Sequence, residues 1–136
     1  MLIGMSAAIV QGVMESTLDV DFWIDLPARQ YMRVQNIARG LGCSVVASTV
    51  VYAPDGTPVN FVFDEVSGLG SFKQEWKQTR KMIFRGKTIP VLKLEKILKS
   101  KESIRRDKDL PHIIQIRKLL RCRRSLKSKK GENRKP

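Results

Sequence analysis

The stretch STLDVDFWI, residues 16–24, decides how this chain is interpreted. Apolar and polar side chains alternate along it, which is the period of a half-buried β-strand. The alternation places Asp19 and Asp21 on the same side of the strand, where two carboxylates repel each other unless a cation or a proton lies between them. Two interpretations follow: a Mg²⁺ site that also takes substrate phosphates, or an edge strand with a solvated acidic face. Trp23 lies on the same predicted face, where it either stacks on a base or covers the core.

The composition is typical of one soluble globular domain: 136 residues, of which 42% are hydrophobic and 29% charged. With a single histidine, a Cys/His zinc site is nearly excluded. Cys43 and Cys122 are far apart and suggest no disulfide framework, which predicts a reducing, cytoplasmic environment. The apolar segment 1–14 lacks a basic leader and is too short to span a bilayer, so we predict that it belongs to the core and expect no membrane partner.

The net charge of +13 is distributed unevenly along the chain. Residues 1–70 carry a net charge of −4, residues 71–116 of +8, and residues 117–136 of +9. One interpretation is that the basic half contacts the phosphates of a ligand whose metal lies on the acidic half. The alternative is a basic tail that only aids solubility or binds RNA loosely, which we favour beyond residue 121. We therefore predict a domain over residues 1–120 and a disordered basic tail over residues 121–136.

The periodicity of the first half predicts a short strand ending at Gly4, and then a helix over Ser6–Val13 with Ser6 as its N-cap. After the acidic strand, apolar spacing predicts a helix over residues 28–41. Ser44–Tyr52 is rich in β-branched residues and predicts one strand, and Val59–Phe63 predicts a strand returning after a turn.

The second half predicts a short helix within residues 71–81, a turn at residues 85–87, and a helix over residues 92–104. A last helix is predicted to begin near Asp109 and Pro111. Its apolar face would consist of Ile113, Ile116 and Leu120.

This order of elements resembles the polymerase-β-like nucleotidyltransferase superfamily, above all its small bacterial members, which include toxin components of abortive-infection systems. The similarity covers residues 2–120. The motifs that carry it are LIGMS at 2–6 with Gly12, STLDVD at 16–21, SF at 71–72, IPVLKLEKIL at 89–98, and the block formed by Lys101, Arg106, Lys108 and Asp109.

The resemblance implies an α/β (α+β) fold with a mixed β-sheet flanked by helices and a C-terminal helical segment. The family normally has a helix before the first strand, and the sequence predicts that this first helix is missing here. It implies a metal-dependent nucleotidyltransferase that moves a nucleoside monophosphate from an NTP to RNA, protein or a small molecule. Mg²⁺ or Mn²⁺ would be held by Asp19 and Asp21, and a cognate antitoxin protein is an implied partner. Residues implied to bind the nucleotide or its phosphates are Gly4, Ser6, Thr17, Lys101, Arg106 and Lys108.

The chain departs from the family pattern at two positions of this site. Asn60 stands where the family has a third carboxylate, so the implied catalytic set is Asp19, Asp21 and Asn60. An amide ligates through its oxygen but adds no negative charge and cannot accept a proton. Met5 replaces the usual small residue after the glycine. The alternatives to an active enzyme are a catalytically lapsed nucleotide- or RNA-binding protein of the same fold, and a nucleic-acid-binding protein in which the aspartates are incidental.

Overall fold

The computed structural model describes residues 1–132, which form a mixed α+β fold. Seven strands are found within these residues: Leu2–Ile3 (β1), Val20–Trp23 (β2), Ser44–Ala47 (β3), Val50–Tyr52 (β4), Pro58–Val62 (β5), Arg80–Phe84 (β6) and Lys87–Val91 (β7). The α-helices of the same residues are Gly4–Val10 (α1), Tyr31–Gly40 (α2), Phe72–Trp76 (α3), Leu94–Ile104 (α4) and Leu110–Glu132 (α5). The predicted fold class, a mixed sheet with a C-terminal helical segment, is confirmed.

The strands form one sheet in the order β3-β4-β5-β2-β1-β7-β6. Strand β2 lies near the middle, antiparallel to β1 and parallel to β5, and β1 is parallel to β7. The remaining neighbours are antiparallel pairs. Since β2 and β5 are in register, Asp21 lies directly beside Asn60. The sheet topology therefore brings residues 39 positions apart to one site.

The core lies where helices α1, α4 and α5 pack against β1 and β7. Ala7 and Ala8 are fully buried, and their small side chains let α1 approach its neighbours closely. Ile97 of α4 and Ile116 of α5 are buried in the same cluster. The predicted apolar face of the last helix is confirmed, since Ile113, Ile116 and Leu120 are all buried.

Helix α1 begins at Gly4, two residues before the predicted start. Ile3 is extended and Gly4 has a positive φ of 67°, so the chain turns into the helix at the glycine. Ser6 is not the N-cap, because its hydroxyl lies within the first turn and donates to the Ile3 carbonyl oxygen at 3.2 Å.

Two strand predictions need correction. Residues 44–52 form a hairpin, β3 and β4, rather than one strand, because buried Gln35 donates its amide hydrogens to the carbonyl oxygens of Ala47 and Ser48, both at 3.2 Å. These two bonds satisfy carbonyls that a turn leaves unpaired. Strand β2 begins only at Val20, and Leu18, predicted on its apolar face, is 88% exposed.

The tail was predicted to be disordered from residue 121, but α5 continues to Glu132. Lysine, arginine and leucine are good helix formers, so a helix that is already nucleated by its packed first half can propagate through a basic segment. Arg123 also ties this part to the body, because its guanidinium donates to the Gln11 carbonyl oxygen. Residues 133–136 of the predicted tail lie outside the described part of the chain.

Cys43 and Cys122 are both free thiols. A search of the helices within residues 1–132 for one long and apolar enough to cross a bilayer finds none.

Candidate active site

A cleft of about 390 Å³ opens between the β1–α1 junction, the segment leading into β2, helix α4 and the start of α5. Most of the site residues predicted from the sequence line this cleft: Gly4, Thr17, Asp19, Asp21, Lys101, Arg106 and Lys108. The fold thus brings an acidic pair from the first sixth of the chain against a basic block about 80 residues later.

The two aspartates lie side by side with an amide between them. Asn60 donates from Nδ2 to Asp19 Oδ2 at 3.1 Å and to Asp21 Oδ1 at 2.9 Å. The Thr17 hydroxyl donates to the other Asp19 oxygen, Oδ1, at 3.0 Å. The sequence placed Asn60 at this site, and the structure shows that its amide group links the two carboxylates. Two donors from one amide offset the repulsion that two neighbouring carboxylates would otherwise suffer.

The environment of Asp21 raises the pKa of its carboxyl group. Burial is the main cause, because it disfavours the charged form, and the hydrogen bond from Asn60 acts against it. The negative charge of Asp19 raises the pKa further, and the positive charge of Lys101 lowers it. Lys101 is therefore close enough for its charge to act on Asp21 across the cleft.

Gly4 provides the space that the Asp21 carboxylate occupies. A Cβ atom at Gly4 would lie 2.5 Å from Asp21 Oδ2, which is too close for any side chain, and the φ of 67° also favours glycine. The family resemblance implies that Gly4 contacts phosphate. Its observed role is to let β2 place a carboxylate directly against the start of α1.

A buried carboxylate organises the basic side of the cleft. Asp109 is 2% exposed and accepts hydrogen bonds from Lys101 Nζ at 2.7 Å and from Arg106 Nε at 2.6 Å. Burial alone would raise the pKa of Asp109, but the hydrogen bonds from Arg106 and Lys101 outweigh it and hold the pKa at about 2. Asp109 is thus charged at neutral pH and holds both cations in place.

The sequence interpretation placed Asp109 at a helix start and in the block that carries the family resemblance, but gave it no part in the site. A usable signal was present: an acidic residue three positions after Arg106 and eight after Lys101, within a strongly basic segment. Lys108, which lies between Arg106 and Asp109 in the sequence, lines the cleft and forms no ion pair with any of residues 1–131.

The structure also places three other residues. The sequence analysis gave no site role to the single histidine, His112, but this residue lines the cleft, with its Nδ1 atom 3.8 Å from Asp109 Oδ1. Ser6 does not line the cleft. Trp23 is 2% exposed and packs edge-on against Phe72, with ring centroids 5.4 Å apart, so the core alternative holds for it.

The donor set of the cleft fits Mg²⁺ or Mn²⁺ held by Asp19 and Asp21. Mg²⁺ takes one or two protein carboxylates and completes its coordination with water and phosphate oxygens. Within residues 1–132, no cluster of three or more Asp, Glu, His or Cys side chains is placed to hold a metal. Asn60 directs an N–H group at each carboxylate, so an ion here would compete with the amide. The residues therefore suit an ion that arrives with a phosphate ligand better than one bound by the protein alone.

Comparison of this chain with known protein families, with curated proteins and with solved structures finds no match.

Proposed function

We propose that the cleft transfers a nucleoside monophosphate from an NTP to an acceptor, with Mg²⁺ or Mn²⁺ held by Asp19 and Asp21. A nucleophilic group of the acceptor would attack the α-phosphate in line, and pyrophosphate would leave. The observation that carries this proposal is the meeting of an acidic pair and three cationic side chains in one cleft of about 390 Å³. Phosphoryl transfer depends on positioning and charge stabilisation more than on covalent chemistry, and both kinds of charge are available here.

Each side of the cleft has its own task in this proposal. Lys101, Arg106 and Lys108 neutralise the triphosphate, and Asp109 keeps the first two pointed into the cleft. Thr17 orients the Asp19 carboxylate through its hydroxyl. A divalent ion bound by Asp19 and Asp21 would supply positive charge next to the α-phosphate, where negative charge develops. The acceptor, by the sequence resemblance, is RNA, a protein or a small molecule.

A second candidate is a catalytically lapsed protein that binds nucleotide or RNA in the same cleft. The observation that favours it is the Asn60 amide, whose two hydrogen bonds stabilise the acidic pair without any cation. A third carboxylate at this position would make the pair unstable in the absence of metal. Asn60 is therefore the residue at which the two candidates differ.

The test is transfer of label from α-labelled nucleotides to bulk RNA and to the protein itself, with Mg²⁺ or Mn²⁺ present. Asp19→Ala is expected to lower transfer on the order of 10³-fold, since it removes several kcal/mol of charge stabilisation. Asp25→Ala is the matched control, because Asp25 is an exposed acid of the same segment and does not line the cleft. Transfer that survives Asp19→Ala would overturn the proposed activity.

Asn60→Asp separates the two candidates in the same assay. Label transferred by the wild-type protein supports the active enzyme. Label that appears only with Asn60→Asp supports the lapsed alternative, because it shows that the geometry persists and that one negative charge is lacking.

A further inference from the structure

A second concave surface lies at the other end of α5 from the cleft, and five of its lining residues are cationic. This basic groove has a volume of about 480 Å³ and is lined by Arg80 of β6, Lys93 before α4, and Arg123, Arg124 and Lys127 of α5. Glu95 is the acidic residue of its lining. The charges come from three separate parts of the chain, so the tertiary structure, rather than one basic run, concentrates them.

The five cations of the basic groove keep their charge available. Among residues 1–131, the lysine and arginine side chains that form ion pairs are others: Lys96, Lys101, Arg106 and Arg117. Arg123 donates to a carbonyl oxygen, that of Gln11, which fixes the guanidinium without neutralising it. A concave surface with five cations and one acid attracts an anion strongly, because neighbouring like charges reinforce each other's potential.

The positive charge extends beyond the groove along α5. Residues 117–131 carry eight cationic and no acidic side chains. The helical rise places Arg123 and Lys127 about 6 Å apart and Arg117 and Lys130 about 20 Å apart along the axis. Like charges three and four residues apart repel, which a bound polyanion would relieve. The ligand that suits this arrangement is a chain of regularly spaced negative charges rather than a single phosphate.

The chemistry of the surface distinguishes among polyanions. A lipid surface would need an apolar face beside the cations, and Leu126 is the only large apolar side chain among residues 121–131 of α5 apart from Cys122. Three of the five groove cations are arginines, whose planar guanidinium binds phosphate through two parallel hydrogen bonds. A volume of about 480 Å³ is that of a small-molecule pocket, which suits the phosphates and sugars of one strand better than the width of a duplex.

We propose that the basic groove binds the sugar-phosphate backbone of a single-stranded nucleic acid. No aromatic side chain lines the groove within the described residues, so base stacking does not contribute. Binding is therefore independent of base sequence and governed by counterion release. The groove is separate from the cleft, and the proposal does not depend on nucleotidyl transfer.

The test measures fluorescence anisotropy of labelled 20-nucleotide oligouridylate and oligothymidylate with the full chain over a range of salt concentrations. Five phosphate contacts predict a slope of log affinity against log salt of about −3.5. Arg124→Gln combined with Lys127→Gln should reduce the slope to about −2 and weaken binding at least about tenfold at low salt. Arg80→Gln, in a strand rather than in α5, should reduce the slope by about 0.7.

The matched control is Arg33→Gln combined with Arg39→Gln, which removes the same charge from exposed positions on α2. Weakening of binding by the groove variants and not by this control supports the proposal. Equal weakening by both, stronger binding of duplex than of single strands, or equally tight binding of polyglutamate would overturn it. The ratio of the oligouridylate and oligothymidylate affinities identifies whether the ligand is RNA or DNA. The anisotropy assay contains no NTP and no divalent cation, so failure of transfer in the cleft and failure of binding in the groove are distinguishable.

Discussion

The cleft and the basic groove lie toward opposite ends of α5. Most charged side chains of the cleft are paired or bridged, and those of the groove form no ion pair among residues 1–131. In the cleft, Asp109 holds Lys101 and Arg106, and Asn60 links the two aspartates. In the groove, five cations face one acid. The two surfaces are about 16 Å apart along the helix, measured from His112 to Arg123. A site for a metal–phosphate ligand needs charges held at set positions, whereas a surface for a polyanion needs only a high density of positive charge.

The comparison predicts that stability depends on the charges of the cleft and hardly on the exposed charges elsewhere. Asp109→Ala should lower the free energy of unfolding by about 3–5 kcal/mol, because it leaves Lys101, 12% exposed, without its counter-charge. Urea denaturation measures this loss. Glu102→Ala is the control, because it breaks the exposed pair with Arg117 and should cost at most about 1 kcal/mol. Equal losses of unfolding free energy in Asp109→Ala and Glu102→Ala would contradict this prediction.

The close approach of Asp21 to Gly4 can be broken without changing any charge. Gly56→Ala introduces a side chain at a φ of 86° with open space around it, and should cost about 1–2 kcal/mol. Gly4→Ala adds a collision with Asp21 Oδ2 at 2.5 Å to a similar strain, and should cost about 1–3 kcal/mol more. Thermal unfolding compares the two variants, and only Gly4→Ala should also lower nucleotidyl transfer. Equal costs would show that the contact is unimportant.

Acid should remove the stabilising charge of the cleft in the unmodified protein. The pKa of Asp109 is lowered from 3.8 to about 2, so its carboxylate stabilises the folded state above about pH 4, and this contribution is lost as the pH falls through 2. It amounts to roughly 2 kcal/mol at neutral pH, allowing for the partly exposed Arg106. The pKa of Asp21 is raised, so its contribution to stability has the opposite sign.

The measurement for this prediction is the free energy of unfolding of the wild type and of Asp109→Asn from pH 6 to pH 2. The difference between the two proteins should shrink toward pH 2. A difference that stays constant with pH would exclude the Asp109 charge as its source.

The smallest effect is expected at the basic groove. Lys127 has three like-charged neighbours on α5: Arg123, Arg124 and Lys130. Lys127→Glu turns these repulsions into attractions and should stabilise the protein by about 0.5 kcal/mol at low salt. Lys127→Gln should give about half of this gain. Thermal melting at low and high salt measures both, and the gain should vanish at high salt. Both variants should bind nucleic acid more weakly, so a variant that gains stability and keeps full binding would contradict the proposed surface.

Much of the fold could be predicted because its signals are local. The acidic strand, a helix within residues 28–41, the turn at residues 85–87 and the apolar face of the last helix all follow from periodicity and turn chemistry. The errors arose where distant contacts override local preference. Gln35, from another element, holds the turn that divides residues 44–52 into two strands, and packing of the first half of α5 allows the helix to continue into the basic tail.

The sequence alone predicts that Asp19 and Asp21 point to the same side, since the pleat of an extended chain repeats every two residues. Both carboxylates do meet at Asn60, although β2 begins only at Val20. The sequence also placed Asn60 on the strand returning after the turn. Three contacts are visible only in the tertiary structure. Asn60 links the two aspartates, and Asp109 holds Lys101 and Arg106. Arg80 and Lys93 join the cations of α5. These contacts depend on strand register and helix packing, which arise from burial across the whole chain rather than from any local pattern.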